Sequence, residues 1–306
     1  MVTNHLHFDG TLIKYEAQIL PIKARKPAAV TANALPDMTR SPRSTDSAPV
    51  DTAIAISVVL IVRDAEPTLE RCLAALDRFD EVLVYENGST DRSAEIARAC
   101  PNVCLVTGEF EGFGPTRNKA AALACHDWIL ALDADEFLDK TAVDALAGLA
   151  LDSDPGAVYA LRRRNWLAGR ALRSRLGTEK VKRLYHRDHH HFDGHVHERL
   201  LDGRGDRARA RLLPGRLEHH PYRDIGQLFE KRWRYADPRL RGASRLHPAL
   251  ALLRAGWRFV RCYVLHYGLI DGWRGLVLSV AEAYGSFLKY AWAYAETSER
   301  RSTKRR

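Results

Sequence analysis

Trp128-Ile129-Leu130-Ala131-Leu132-Asp133-Ala134-Asp135-Glu136 is the stretch on which the fold of this chain turns. Its apolar run shows no polar alternation, which suits a strand buried on both faces of a parallel sheet, and carboxylates begin where that strand runs out. In open α/β sheets ligands bind beyond the carboxyl ends of the strands. Two carboxylates one residue apart at that edge can share a divalent cation and a ribose, although Asp also serves turns and helix N-caps.

Upstream, the same grammar repeats. Ile56-Ser57-Val58-Val59-Leu60-Ile61-Val62 predicts a first buried strand, with ordered structure beginning at Ile54. Leu69, Leu73 and Leu76 behind Pro67 and Thr68 predict a helix over Thr68–Leu76. Glu81–Glu86 and Val103–Thr107 read as strands, Asp91–Cys100 and Pro115–Ala124 as helices. Strands alternating with helices predict an α/β fold with a mainly parallel sheet covered on both faces. Asn87-Gly88-Ser89-Thr90-Asp91 and Gly112–Asn118 each follow a strand and open a helix, so three loops converge on one rim with Asp133.

Beyond Pro155 the pattern changes. Ala157–Leu161 and Val181–His186 read as strands separated by a connection rich in Arg and Gly, and Arg223–Asp237 and Ala243–Ala295 as helices carrying many Trp and Tyr. The expected organisation is a disordered tail or linker over 1–53, a catalytic domain over 54–222 divided at Glu136, a helical C-terminal extension over 223–296 and a basic tail over 297–306.

Apolar residues at 46% and charged residues at 28% allow one packed core and exclude wholesale disorder. A net charge of +9 points to an anionic partner, yet no short basic motif with stacking aromatics marks a nucleic-acid module. Five widely spaced cysteines fit reduced core thiols of a cytoplasmic protein, and no apolar run is long enough to span a membrane.

Ile56–Val62, Asn87–Asp91, Gly112-Phe113-Gly114-Pro115-Thr116-Arg117-Asn118 and Trp128–Glu136 resemble, in order and spacing, the successive motifs of family-2 glycosyltransferases of the GT-A fold. Val196-His197-Glu198, His219-His220-Pro221-Tyr222-Arg223, Tyr267–Gly272 and Phe287–Tyr290 are similar to the branch containing lipopolysaccharide-core β-1,4-glucosyltransferases. The resemblance covers about Ile54 to Ala295. It implies an inverting transferase that uses a UDP-sugar, with glucose as the leading sugar, and Mg2+ or Mn2+. Glu86 and Asn87 would lie by the donor base, with Val62, Asp64 and Asp91 on the same donor-binding rim. Arg117 would lie near the diphosphate, Asp133 on the ribose side and beside the metal, and Asp135 on the metal. The implied acceptor is a cell-envelope saccharide or lipid-linked glycan.

A hydroxyl is a poor nucleophile near neutral pH, so transfer needs a carboxylate to take its proton. In a single displacement that base faces away from the leaving group, and so comes from elsewhere than the Asp133–Asp135 loop. Glu198 occupies the position of the family's catalytic carboxylate, with Asp193 as the alternative. The crowd of His186, His189, His190, His191, His195 and His197 raises a zinc site, hence a zinc hydrolase, but no zinc-module spacing appears. Arg162-Arg163-Arg164, Arg170, Arg173 and Arg175 read either as a phosphate contact or as a flexible charged loop. Trp257, Phe259, Tyr263 and Tyr267 interleaved with Arg254, Arg258 and Arg261 suggest a helix on an anionic membrane surface. A catalytically inactive basic protein of the membrane surface or of nucleic acid, built on the same scaffold, is the competing class.

Overall fold

The computed structural model describes residues 53–194, 198–236 and 247–303. The expected tail before Ile54 therefore lies outside the described residues. Strands β1 (Ile54–Val62), β2 (Phe79–Glu86), β3 (Val103–Thr107) and β4 (Trp128–Asp133) alternate with helices α1 (Glu66–Ala74), α2 (Ser93–Ala99) and α3 (Phe113–Leu123). These four strands are mutually parallel in the order β3-β2-β1-β4. The chain winds outward from β1 through β2 to β3, then crosses to β4 on the other side of β1. That reversal opens a crevice at the carboxyl ends of β1 and β4.

Alternation along β1 explains why both faces are covered. Ile56, Val58, Leu60 and Val62 join α1 and helix α4 (Lys140–Ala147) in one core, while Val59 joins Ala120 and Ala121 of α3 in a second. The expected α/β architecture, mainly parallel sheet and helical C-terminus are those observed.

The second half completes the sheet with both orientations. β5 (Glu136–Leu138), β6 (Val158–Leu167), β8 (Thr178–His186) and β11 (Arg211–His219) extend it in the order β4-β8-β6-β11-β5. β8 is antiparallel to β4 and to β6, β6 is parallel to β11, and β5 is antiparallel to β11. The Arg-rich connection is a loop only over residues 172–177. β6 runs through Arg162–Arg164 to Leu167 and turns tightly into β7 (Arg170–Ala171), because acids on neighbouring strands face its cations: Arg163 meets Glu179 on β8 and Arg164 meets Glu218 on β11. β9 (His190–Asp193) and β10 (Arg199–Asp202) form a separate hairpin against α3.

α5 (Ile225–Tyr235), α6 (Pro248–Val260) and α7 (Trp273–Thr303) make up the helical part. α7 runs past the boundary at 296 drawn from the sequence. Leu278 and Ala281 of α7 pack with Leu167, Leu172 and Leu228, and Arg274 donates to the carbonyls of Leu167 and Ala168 at 3.0 and 2.9 Å. The cysteines divide: Cys72 and Cys262 are buried, Cys100 and Cys104 half-buried, and Cys125 is exposed, because it stands in the turn before β4.

The β11 register shifts between Leu212 and Arg216, and Gly215 sits there with φ +84°. A Cβ at this position would meet the Ala142 nitrogen at 2.2 Å, so the first turn of α4 can close on β11 only over a glycine. Asp139 fastens the contact by accepting from Ala142 N at 2.8 Å and Arg216 N at 3.0 Å. Gly215→Ala is expected to destabilise the protein by at least about 1–3 kcal/mol through backbone strain and overpacking, read as a lowered urea midpoint at unchanged m.

Candidate functional site

Sheet register sets the rim of the site. Val62 aligns with Glu86 on β2, and Ile61 with Asp133 on β4, so the carboxyl ends of three strands finish on one line. The loops beyond β1 and β2 are sewn together. Asp64, with φ +49°, accepts from the Thr90 amide at 2.7 Å, and Asp91 accepts from the amides of Glu66 and Ser93 at 3.0 Å each. Asp91 thus caps α1 from a neighbouring loop, where Ala65 at the N-cap offers no side-chain oxygen. Burial would raise the Asp91 carboxyl, and its hydrogen bonds from Ser93 and the Glu66 amide hold it below its usual range instead.

The remaining donor-side residues divide in what they offer. Val62 is fully buried, and its carbonyl accepts from Asn87 N at 3.1 Å. Glu86 is buried and accepts from the Ser89 amide. The Asn87 side-chain oxygen is buried with no hydrogen-bond partner.

At the β4 end of this rim lies a cluster of charge. Asp133 accepts from Arg117 on one oxygen and from Arg183 on the other, the latter at 3.0 Å. Arg183 also bonds Glu136, which is 0% exposed and takes a further bond from Arg163 at 2.9 Å. Arg117 Nη2 stands 3.4 Å from Glu198 Oε1, so one guanidinium nitrogen serves both Asp133 and Glu198. Desolvation opposes charge on Asp133, but Arg117 and Arg183 outweigh it and hold the carboxyl far below the usual range. Its stabilising contribution is therefore complete at any pH above the ordinary carboxylate range and is lost only in strong acid. Beneath the loop Cys72 is buried, and desolvation together with Glu136, Asp135 and Asp133 pushes its thiol far up, leaving it an inert donor to the Glu136 carbonyl at 3.3 Å.

Helix α3 brings Glu198 to this cluster. Asn118 exchanges two 2.8 Å hydrogen bonds with the backbone of Phe192, and Gly114 N donates to Gly194 O at 3.1 Å. A Cβ on Gly114 would lie 2.6 Å from that oxygen, which accounts for glycine here. Arg117 passes 5.5 Å from the centre of the Phe192 ring. Asp193 lies on the other side of β9 from Phe192, exposed, and is not part of the cluster. His195 and His197 lie outside the described residues.

Asp135 stands beyond the ion pairs. Its Oδ1 is 3.5 Å from His219 Nε2, and His219 Nδ1 is 2.7 Å from Asn165 Oδ1. His220 stacks on Trp166, with ring centroids 4.9 Å apart, and burial followed by the nearby Arg71 lowers its pKa, favouring the neutral ring. Among the described residues, the histidines of the 186–191 stretch form no ion pair or hydrogen bond with this loop. His186 groups with Asp127 and Asp188 at the opposite end of β4, where Arg187 already pairs with Asp127 at 2.6 Å. Reading the sequence overlooked Arg183, Arg163 and His219 as partners of the acidic loop. No signal in the sequence sets Arg183 apart, because it follows Lys180 and Lys182 in a strand that opens with charged residues.

The model of the family described as Glycosyl transferase family 2 matches residues 57–201. That segment is a family-2 glycosyltransferase domain. It begins within β1, ends within β10, and contains every member of the ion-paired cluster. A TPR repeat-containing protein of Synechococcus elongatus is 39% identical over 122 residues, which are 40% of this chain and 30% of that protein, so the chain spans under a third of that relative's length. An uncharacterized glycosyltransferase of Rickettsia prowazekii is 23% identical over 77% of this chain and 85% of its own. A lipopolysaccharide core biosynthesis glycosyltransferase, LpsC, of Rhizobium meliloti is 26% identical over 38% of this chain and 44% of its own.

Within the transferase domain, Arg183→Met would strip Glu136 and Asp133 of a shared counterion. The expected loss is about 3–5 kcal/mol of stability by urea unfolding, against less than about 1 kcal/mol for Arg211→Met, which breaks the exposed pair with Asp154.

Proposed function

We propose that the domain is an inverting, metal-dependent hexosyltransferase that moves glucose from UDP-glucose to a hydroxyl of a lipid-linked cell-envelope saccharide, working at the anionic inner face of the cytoplasmic membrane. The observation that carries this reading is the convergence of Asp133, Asp135 and Glu198 at the crevice where the parallel sheet reverses.

The pair Asp135 and His219 fits a divalent cation. Asn165 Oδ1 lies 2.7 Å from His219 Nδ1 and can accept from it, and Nε2 is then the ring nitrogen that faces the Asp135 carboxylate 3.5 Å away. A carboxylate and an imidazole nitrogen at this spacing can share a divalent cation, and that ligand pair suits Mn2+ better than Mg2+. When bound, such a cation offsets the charge that develops on a departing diphosphate.

The protein's own groups supply the rest. Asn87 Oδ1, buried and unpartnered, is an acceptor for a base N–H, beside the carboxylate of Glu86. Asp133, held ionised by Arg117 and Arg183, accepts from ribose hydroxyls, and the same two arginines keep positive charge near the phosphates. Glu198 takes the acceptor proton as the new bond forms, with Arg117 fixing its orientation. The envelope acceptor and the sugar rest on the resemblance of the downstream motifs and on the likeness to LpsC.

Asp135→Ala is expected to abolish Mn2+-dependent UDP-glucose binding in calorimetry while leaving the thermal unfolding midpoint near that of the parent chain. Unchanged affinity in Mn2+ would sink the metal assignment. Glu198→Gln keeps the shape and removes the base, so donor affinity should survive while turnover at saturating donor falls about 10²–10⁴-fold. Near-normal turnover would exclude Glu198, and lost donor affinity would move it to the diphosphate.

A further inference from the structure

Away from the transferase crevice, α5, α6 and α7 enclose a cleft of 570 Å³. Arg232, Arg254, Arg258, Arg261 and Lys289 line it against the single carboxylate of Glu282. Glu282 is already shared, holding Arg232 at 2.5 Å and Arg258 at 2.6 Å. Among the described residues no carboxylate stands within ion-pair distance of Arg254, Arg261 or Lys289. Arg254 and Lys289 instead approach the Tyr290 ring at 5.2 and 5.4 Å, and Arg232 Nε is buried without a hydrogen-bond partner. Gathering cations without anions costs repulsion, which an anionic ligand relieves.

The flank of the cleft limits what that ligand can be. Arg254, Arg258 and Arg261 follow at steps of four and three residues and face the cleft. Leu250, Leu253, Trp257 and Val260 follow by the same spacing on the adjoining stripe, with Leu253 71% and Trp257 59% exposed. Past the end of α6, Leu269, Ile270 and Trp273 are each about half exposed. A soluble phosphate would use the cations and leave this apolar surface in water. A phosphate carried on acyl chains uses both.

We propose that this cleft is a headgroup site for an anionic phospholipid, whose phosphate meets Arg254, Arg261 and Lys289 while the Leu250–Val260 stripe enters the acyl boundary. It deepens the membrane reading given above and rests on it, but not on the transfer chemistry. Trp257 lines the cleft and belongs to the exposed stripe, so headgroup and acyl contacts meet at one side chain.

The test is co-sedimentation of the full chain with phosphatidylcholine vesicles and with vesicles of phosphatidylcholine and phosphatidylglycerol. The variants are Arg254→Gln/Arg261→Gln and, as a control of equal charge, Arg204→Gln/Arg209→Gln, all four positions being exposed. Strong binding to the anionic vesicles is expected. It should weaken about tenfold or more in the cleft variant, since each cation at such a surface contributes substantially, and little in the control. Leu253→Asn should weaken binding without altering its preference for anionic lipid. Equal loss in cleft and control variants would overturn the headgroup site and leave the membrane reading standing, as would calorimetric binding of inorganic phosphate that the cleft variant loses while its vesicle binding is unchanged. Failure of the parent chain to bind either vesicle would overturn both. A dimer in sedimentation velocity without vesicle binding would give the stripe to a second copy and also overturn the proposal.

Discussion

A carboxylate as fully buried as Glu136 is tolerable only where cations are brought to it, and the outer half of the sheet is arranged around that requirement. Arg183 arrives on β8 and Arg163 on β6, two interior strands of the sheet. Once Arg183 is seated, its guanidinium also reaches Asp133, and Arg117 completes the pairing from the other side. Rigid carboxylate geometry at the rim of the crevice thus follows from solving a desolvation problem one layer deeper.

The same cluster ties the two parts of the crevice together. The rim at β1, β2 and β4 can form from local winding of the chain, but Glu198 reaches it only because Asn118 and Gly114 hold the β9–β10 hairpin to α3. Arg117 lies one residue from Asn118, so the helix turn that docks the hairpin also delivers the cation between Asp133 and Glu198. Residues from one short motif therefore set the spacing between the two acids.

What the sequence made legible follows from how local each cause is. Buried parallel strands declare themselves as unbroken apolar runs, so β1 and β4 were readable nearly to the residue, as was the half-buried edge strand β3. Helix starts were less so: α1 begins at Glu66 rather than Thr68 because its cap is Asp91, a residue 25 positions away. The arginines of β6 suggested a loop because their acids, Glu136, Glu179 and Glu218, lie on other strands. At the site, Asp133, Asp135 and Glu198 stood out through motif and spacing. Arg183 and His219 did not, since one cation among the lysines of a strand or a pair of histidines before a proline has no meaning until the fold supplies its partner.

The order in which the cluster's members occur along the chain has its own consequence. Glu136 is synthesised before both of the cations that neutralise it, Arg163 and Arg183, whereas Asp133 follows one of its partners, Arg117, and precedes the other, Arg183. Until β6 and β8 are made, β4 is an uncovered edge of apolar backbone followed by Glu136 without a counterion. A nascent or truncated chain ending near Glu136 would therefore hold a complete parallel core and still be sticky at one edge and electrostatically incomplete at its rim. The donor-side half, compact as it is, depends on strands encoded dozens of residues later to become a self-sufficient folding unit.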